Sequence, residues 1–311
     1  MRALVRNPNK AHVLDGMGAE LFAGDITDPP SLARAVDGVD VVFHAAALVS
    51  NWAPWSEYLA TTVGGTENLL AAASRVRIQR FVHISTIRVY DDRHCRRHGV
   101  ALEDAPQGEF GYRPFGHYAR AKVLSETAVW KYADRIPVSV IRPAWIYGPR
   151  DNVILPPLIR FLRDPNSVWP GDGNACADPV YVTDVAECAL AAAVAPAAIG
   201  QAYNAAPHQR ITVCEFLGAL GASLRIPLPT RSIPYFVANG AAHLSEWWAT
   251  LIGRQDAPTV TRAGLAILTE HVRHDPGKAA RDLGWRKQVD LPFGIESTAA
   301  WLRQSHPELL S

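Results

Sequence analysis

Val39-Asp-Val-Val-Phe-His44 and, downstream, Arg80-Phe-Val-His-Ile-Ser85-Thr86 are two short, nearly unbroken apolar runs. A strand with one wet face alternates apolar and polar residues. A strand covered on both faces does not, and reads as a continuous run. Helical segments follow these runs, from about Trp55 to Ser74 and from Tyr118 to Ala133. Val138 to Arg142 is a third such strand. Upstream, Arg2 to Val5 and Ala19 to Ala23 read as two more strands. Gly24-Asp25 closes the second, and Pro29-Pro30 opens a helix reaching about Val36. Strands alternating with helices predict an α/β fold with a parallel, doubly wound sheet. The alternation breaks down after Pro149. Pro156-Pro157, the stretch Pro227 to Pro234 and a tryptophan-rich helix predict a smaller second lobe.

Composition excludes several classes. The chain has 311 residues, 48% of them apolar, and a net charge of +1, so nothing favours nucleic acid as a partner. The basic run Arg93, His94, Arg96, Arg97 and His98 reads as a solvated loop. Cys95, Cys176, Cys188 and Cys214 have no C-x-x-C spacing, so no metal site is expected. Four free thiols suit a reducing cytoplasm. The N-terminus has no apolar run long enough for a signal peptide. No window reaches the roughly 18–20 apolar residues of a membrane span. The nearest, Pro234 to Ile252, is interrupted by Asn239, His243, Ser245 and Glu246.

Chemistry concentrates in Tyr118-Ala-Arg-Ala-Lys122. Residues i and i+4 share a helix face, so phenol and ammonium can enter one site. A phenol of pKa about 10 is a poor base at neutral pH. A nearby lysine charge stabilises the phenolate; reaching pKa 7 takes roughly 4 kcal/mol. Tyr118 then becomes a general acid/base for alcohol–ketone conversion. Ser85 and Thr86 close an earlier strand, at the carboxyl end where open α/β sheets hold their ligands. A hydroxyl there can bind the substrate oxygen.

Taken together, these segments resemble the extended short-chain dehydrogenase/reductase family, within the NAD-dependent epimerase/dehydratase superfamily, over nearly the whole chain. The resemblance implies a Rossmann-like core over 1–150, with 175–207 returning to it. Residues 151–174 and 208–311 would then form the substrate lobe. Gly24-Asp25-Ile26-Thr-Asp28 looks like the turn whose Asp25 and Ile26 flank adenine. His44-Ala45-Ala46-Ala47 resembles the small-residue turn beside the cofactor. Thr86 falls in the catalytic hydroxyl register, with Ser85 beside the cofactor. Tyr118 and Lys122 match the catalytic pair, where lysine also holds the nicotinamide ribose. Arg142-Pro143-Ala-Trp145-Ile-Tyr147-Gly148-Pro149 looks like the turn packing on the nicotinamide through Pro143 and Trp145. Arg231-Ser-Ile-Pro-Tyr235, Pro258-Thr-Val-Thr-Arg262 and His274-Asp-Pro-Gly-Lys278 resemble the 3β-hydroxysteroid and sterol-carboxylate dehydrogenase branch.

What this implies is an NAD(P)-dependent oxidoreductase interconverting a secondary alcohol and a ketone, on a small molecule of steroid-like or other bulky apolar kind. A sugar-nucleotide epimerase with the same residues is the first alternative. A chain that keeps the fold without binding cofactor is the second. A dehydratase is disfavoured, because its acidic pair after the threonine is here Ile87 and Arg88. Thr62 stands where the family often has an asparagine supporting a relay water. The family also implies a homodimer through the helices near Thr62 and Tyr118. Tyr235 to Ile252 is read as substrate lobe or core in preference to membrane contact.

Arg6 ends the second strand of such a fold, where an arginine meets the 2′-phosphate of NADP and an acid the ribose of NAD; this favours NADP. No glycine-rich turn follows a strand near the N-terminus. Met1-Arg-Ala-Leu-Val-Arg6 therefore reads as the second strand, with roughly 25–35 residues of strand, turn and helix expected before it. In the order 3-2-1-4-5-6 that first strand lies between the second and fourth. The expectation is a native start upstream of Met1. N-terminal mass spectrometry of the native polypeptide should find a longer chain; a mass beginning at Met1 overturns it.

Overall fold

The structure is a computed structural model that describes residues 1–50, 52–108, 114–254 and 256–310. Its main sheet is parallel. It contains β3 (Val41–His44), β4 (Arg80–Ile84), β5 (Val138–Pro143) and β6 (Gln201–Ala205), in the order β6-β5-β4-β3. All six residues of β5 are buried, among them Ser139, which donates to the Ala198 carbonyl, and Arg142. One face packs Leu70, Phe81, Val129, Val138 and Val140 into a core. The opposite face packs Val82, Ile141, Cys188, Ala192 and Tyr203, with helix Val182–Val194 laid across it.

Two strands stand apart. β1 (Arg2–Val5) and β2 (Glu20–Ala23) pair with each other in parallel and join no other strand among the described residues. Among those residues the outer edge of β3 is likewise unpaired. The break falls where the sequence reading places a first strand. Phe43, on β3, is 45% exposed beside it.

Several local expectations shift. The helix predicted from Trp55 to Ser74 is interrupted: an α turn at Trp55–Tyr58, a π-helical stretch at Leu59–Gly64, then α1 (Gly65–Ala73). The basic run is not a loop. It belongs to a helix, Asp92–His98. Asp91 accepts a bond from the His94 amide at its start, and Gly99 closes it in the left-handed conformation. Arg96, Arg97 and His98 occupy the last turn, where the helix dipole favours cations. Residues after Pro149 build a separate core from Leu155, Ile159, Phe216, Leu217, Leu220 and Leu302.

Gly65 marks a close approach. A Cβ there would lie 2.7 Å from Ile26 Cγ1, and Ile26 is itself wedged in the core beneath the sheet. Gly240, in a later helix, has nothing within 4 Å of the same atom. Gly65→Ala should cost roughly 1–3 kcal/mol through overpacking. Gly240→Ala should be neutral, or stabilising by up to about 1 kcal/mol from helix propensity. Denaturant unfolding of both variants checks this contrast; equal midpoints would refute it.

Candidate active site

Helix α2 (Pro114–Lys131) carries Tyr118, Lys122 and Glu126 at successive four-residue spacings, so all three share one face. Lys122 and Glu126 are buried and Tyr118 half-buried. Lys122 Nζ donates to the Ile84 carbonyl at 2.6 Å. Glu126 accepts from Ser85 Oγ at 2.7 Å, from Gln107 Nε2 at 2.9 Å and from Trp130 Nε1 at 3.3 Å. It also forms an ion pair with Arg142 at the end of β5. Arg142 donates onward to the Glu103 carbonyl at 2.9 Å and the Tyr90 hydroxyl at 3.1 Å. The end of β4 is thus pinned to the helix twice, by carbonyl and by hydroxyl.

That pinning leaves Thr86 against Tyr118. Thr86 has extended backbone, and its Oγ1 accepts from the Arg88 amide at 3.2 Å, capping the turn Ile87–Val89. The Thr86 side chain also lies close enough to the Tyr118 phenol to favour the phenolate. Burial raises the Tyr118 pKa above the usual phenol value, opposed by Thr86 and by the Arg88 guanidinium. The lysine at i+4 donates to a backbone carbonyl, and Arg88 is a cation that favours the phenolate. Glu270 holds Arg88 at 2.8 Å. Burial pushes the Lys122 ammonium down to about 8, with Glu126 opposing the shift. His44 and His83 lie buried nearby, kept neutral chiefly by desolvation, His44 at about 3. His44 Nε2 is bonded to Thr66 Oγ1 at 2.8 Å. Neither imidazole is available as an acid near neutral pH.

Other expected residues fall in distinct places. Ser85, Thr86, Tyr118 and Lys122 come together. Ala45 and Ala46 are exposed and Ala47 half-buried, just past the carboxyl end of β3. Asp25 accepts from the Thr27 amide at 2.8 Å and Thr27 Oγ1 at 2.7 Å, which hold its carboxyl below the usual range. Arg6 is exposed and adds a favourable charge to Asp25. Ile26 is buried, its carbonyl accepting from Asn68 at 3.3 Å. Pro143 is buried at the end of β5. Trp145 is turned away into the second core, its ring 5.0 Å from that of Phe216. Thr62 is buried and accepts from the Leu48 amide at 3.0 Å, so its hydroxyl braces the loop after β3. Glu126, Arg142 and Arg88 were missed as partners. For Glu126 the signal was present, four residues beyond Lys122.

With this geometry in view, likeness to known proteins becomes specific. The pattern of the NAD dependent epimerase/dehydratase family matches residues 1–206, and the chain belongs to this family. Its relatives include proteins named as ketoreductases, oxoalkanoate reductases and sterol dehydrogenases. A ketoreductase of 4-hydroxy-2-methyl-3-oxo-4-farnesyl-3,4-dihydroquinoline-1-oxide from Stigmatella aurantiaca is 32% identical over 309 residues, covering 99% of this chain and 89% of that protein. A 3beta-hydroxysteroid-dehydrogenase/decarboxylase, isoform 2, from Arabidopsis thaliana is 30% identical across 90% of this chain and 51% of its own length. Among solved structures, a double mutant of the dTDP-glucose 4,6-dehydratase DesIV from Streptomyces venezuelae, with NAD and DAU bound, has a TM-score of 0.74 at 25% identity. It covers 100% of this chain and 90% of that one.

The family's cofactor can be tested against the residues present. Lys122 is a buried ammonium with one acceptor, the Ile84 carbonyl, and further protons to give. That suits a ribose hydroxyl. The turn after β3 is open, as a covering ligand requires. A pyrophosphate cradle is not among the described residues, since β1 runs through Asn7 into a 3₁₀ turn at Pro8–Lys10 with no glycine.

Removing the Glu126 carboxylate strands a buried guanidinium. Glu126→Leu should cost roughly 3–5 kcal/mol. Glu126→Leu with Arg142→Met should recover much of that. Urea unfolding of single and double variants measures the coupling; additive losses would show the pair to be unimportant.

Proposed function

We propose that the protein reduces a ketone to a secondary alcohol, reversibly, on a bulky apolar small molecule. The observation carrying this reading is the Thr86–Tyr118 pair, whose phenol stays protonated at neutral pH. A protonated phenol is the acid a ketone needs as its oxygen gains charge. Thr86 and Tyr118 would donate to the substrate oxygen, and Tyr118 would release its proton to it. Lys122 would hold the ribose. When bound, the reduced nicotinamide supplies the hydride.

Arg88 also lines a cavity of about 540 Å³, in which Pro170, Tyr235, Leu265 and Leu268 share the wall with Asp92, Arg96, Asp172 and Glu270. The volume suits a drug-sized ligand with both apolar and polar parts. The names of the relatives, a farnesylated quinoline reductase and a sterol dehydrogenase, support substrates of this class. Arg6 beside Asp25 supports NADP over NAD. A homodimer would use the π-helical stretch and α2, which pack together and expose Leu59 and Leu124.

Tyr118→Phe should lower turnover at least about a hundredfold without altering the circular dichroism. Arg88→Met removes a cation that favours the phenolate. The Tyr118 pKa then rises: the alkaline limb of ketone reduction moves to higher pH, and alcohol oxidation slows at fixed pH. Substrate-dependent loss of NADPH absorbance reads both variants. Turnover with unchanged absorbance would indicate an epimerase instead, and a strong preference for NADH would remove the role given to Arg6.

A further inference from the structure

Helix α3 (Tyr235–Leu251) is built inside out. Its buried residues are Ala238, Ala242, Glu246 and Ala249, a narrow seam of small side chains and one carboxylate. Its large side chains face outward. Phe236 is 74% exposed, Leu244 65%, Leu251 62%, Trp247 59% and Trp248 56%, and Ile252 just beyond is exposed too. A helix seated on a core turns its bulky residues inward. An apolar surface of this kind on an isolated subunit marks an interaction site.

Charge narrows the partner. The helix holds no Lys or Arg, and its single acid, Glu246, is buried. Glu246 accepts from the Arg262 amide and from Arg262 Nε, both at 2.7 Å. The outward face therefore carries no lysine, arginine or acid, and has His243 as its one imidazole. Exposed arginines flank it, Arg231 before and Arg254 after, with Asp256 further on. Two copies packing this face about a twofold axis with helices antiparallel would bring Arg231 of one towards Arg254 of the other. Like charges so placed oppose association. An anionic lipid surface satisfies both, and outward Trp, Phe and Leu between basic flanks are what an interfacial helix needs.

Two further observations join this face to the rest of the molecule. The indole of Trp52 donates to the Arg254 carbonyl at 3.1 Å, bringing the loop with exposed Val49 to the end of the helix. Tyr235 and Asn239, in its first turns, line the 540 Å³ cavity. Among the described residues no helix is long and apolar enough to cross a membrane.

We propose that α3 lies flat on an anionic membrane surface, its aromatic residues at headgroup depth, and that the cavity beside it takes its apolar substrate from that surface. Only the second half rests on reading the cavity as the substrate site. Flotation with phosphatidylcholine vesicles, with and without phosphatidylglycerol, tests the first half without measuring activity. The protein should float with the anionic vesicles, its tryptophan emission should shift to the blue, and salt should weaken binding. Leu244→Glu with Leu251→Glu should lower vesicle affinity roughly tenfold or more while leaving the unfolding temperature and reduction of a water-soluble ketone unchanged. No flotation of the wild type, or equal flotation of the double variant, overturns the proposal. A wild-type dimer that the double variant dissolves, with no lipid binding, assigns the face to a second copy instead. If flotation holds but a vesicle-borne ketone is consumed no faster by the wild type than by the double variant, the surface role stands and the delivery role falls.

Discussion

The ion pair between Glu126 and Arg142 organises the site. A buried carboxylate or guanidinium alone costs several kcal/mol. Each here is paired and further bonded: Glu126 by Ser85, Gln107 and Trp130, Arg142 by Glu103 and Tyr90. The Tyr90 hydroxyl continues to Asn204 Oδ1 at 2.5 Å, and the Asn204 amide donates to Glu103 at 2.8 Å. One polar network therefore joins α2, the ends of β4 and β5, and β6. A satisfied buried network of this kind fixes geometry more than it adds stability. The position of Thr86 against Tyr118 is what it fixes.

The strands were legible because a doubly covered strand is mostly apolar, its few polar residues, such as Ser139 and Arg142, being paired inside. Val39 to His44, Arg80 to Ser85 and Val138 to Arg142 each gave a strand trimmed or extended by one or two residues. Strand identity is a local property, and so is the i, i+4 relation of Tyr118 to Lys122. Where a side chain aims is not local. Lys122 chose the Ile84 carbonyl because β4 ends beneath it, and Arg88 is held in place by Glu270, 182 residues away. Trp145 was read onto the cofactor side from its place in a motif, yet the ring of Phe216 drew it into another core. The basic run was read as loop from charge alone, though Asp91 and Gly99 beside it were helix-ending signals.

The helix Tyr235–Leu251 shows the limit most plainly. Its apolar residues are spread around the helix, so periodicity identifies a helix without naming its buried face. The small residues Ala238, Ala242 and Ala249 decided that face by allowing close packing, and Glu246 followed them inward to meet Arg262. Hydrophobicity predicted burial, while packing chose exposure.

The open edge of β3 has a consequence for how the sheet is completed. Unpaired amides and carbonyls along a strand edge form a template on which another strand can grow. Natural edges are blunted by lysine, proline or a bulge. Val41-Val-Phe-His44 carries none of these, and Phe43 adds an exposed ring. Among the described residues the outer edge of β1 is also unpaired. A single strand bonded to both edges would join the pair and the four-stranded sheet into one parallel sheet.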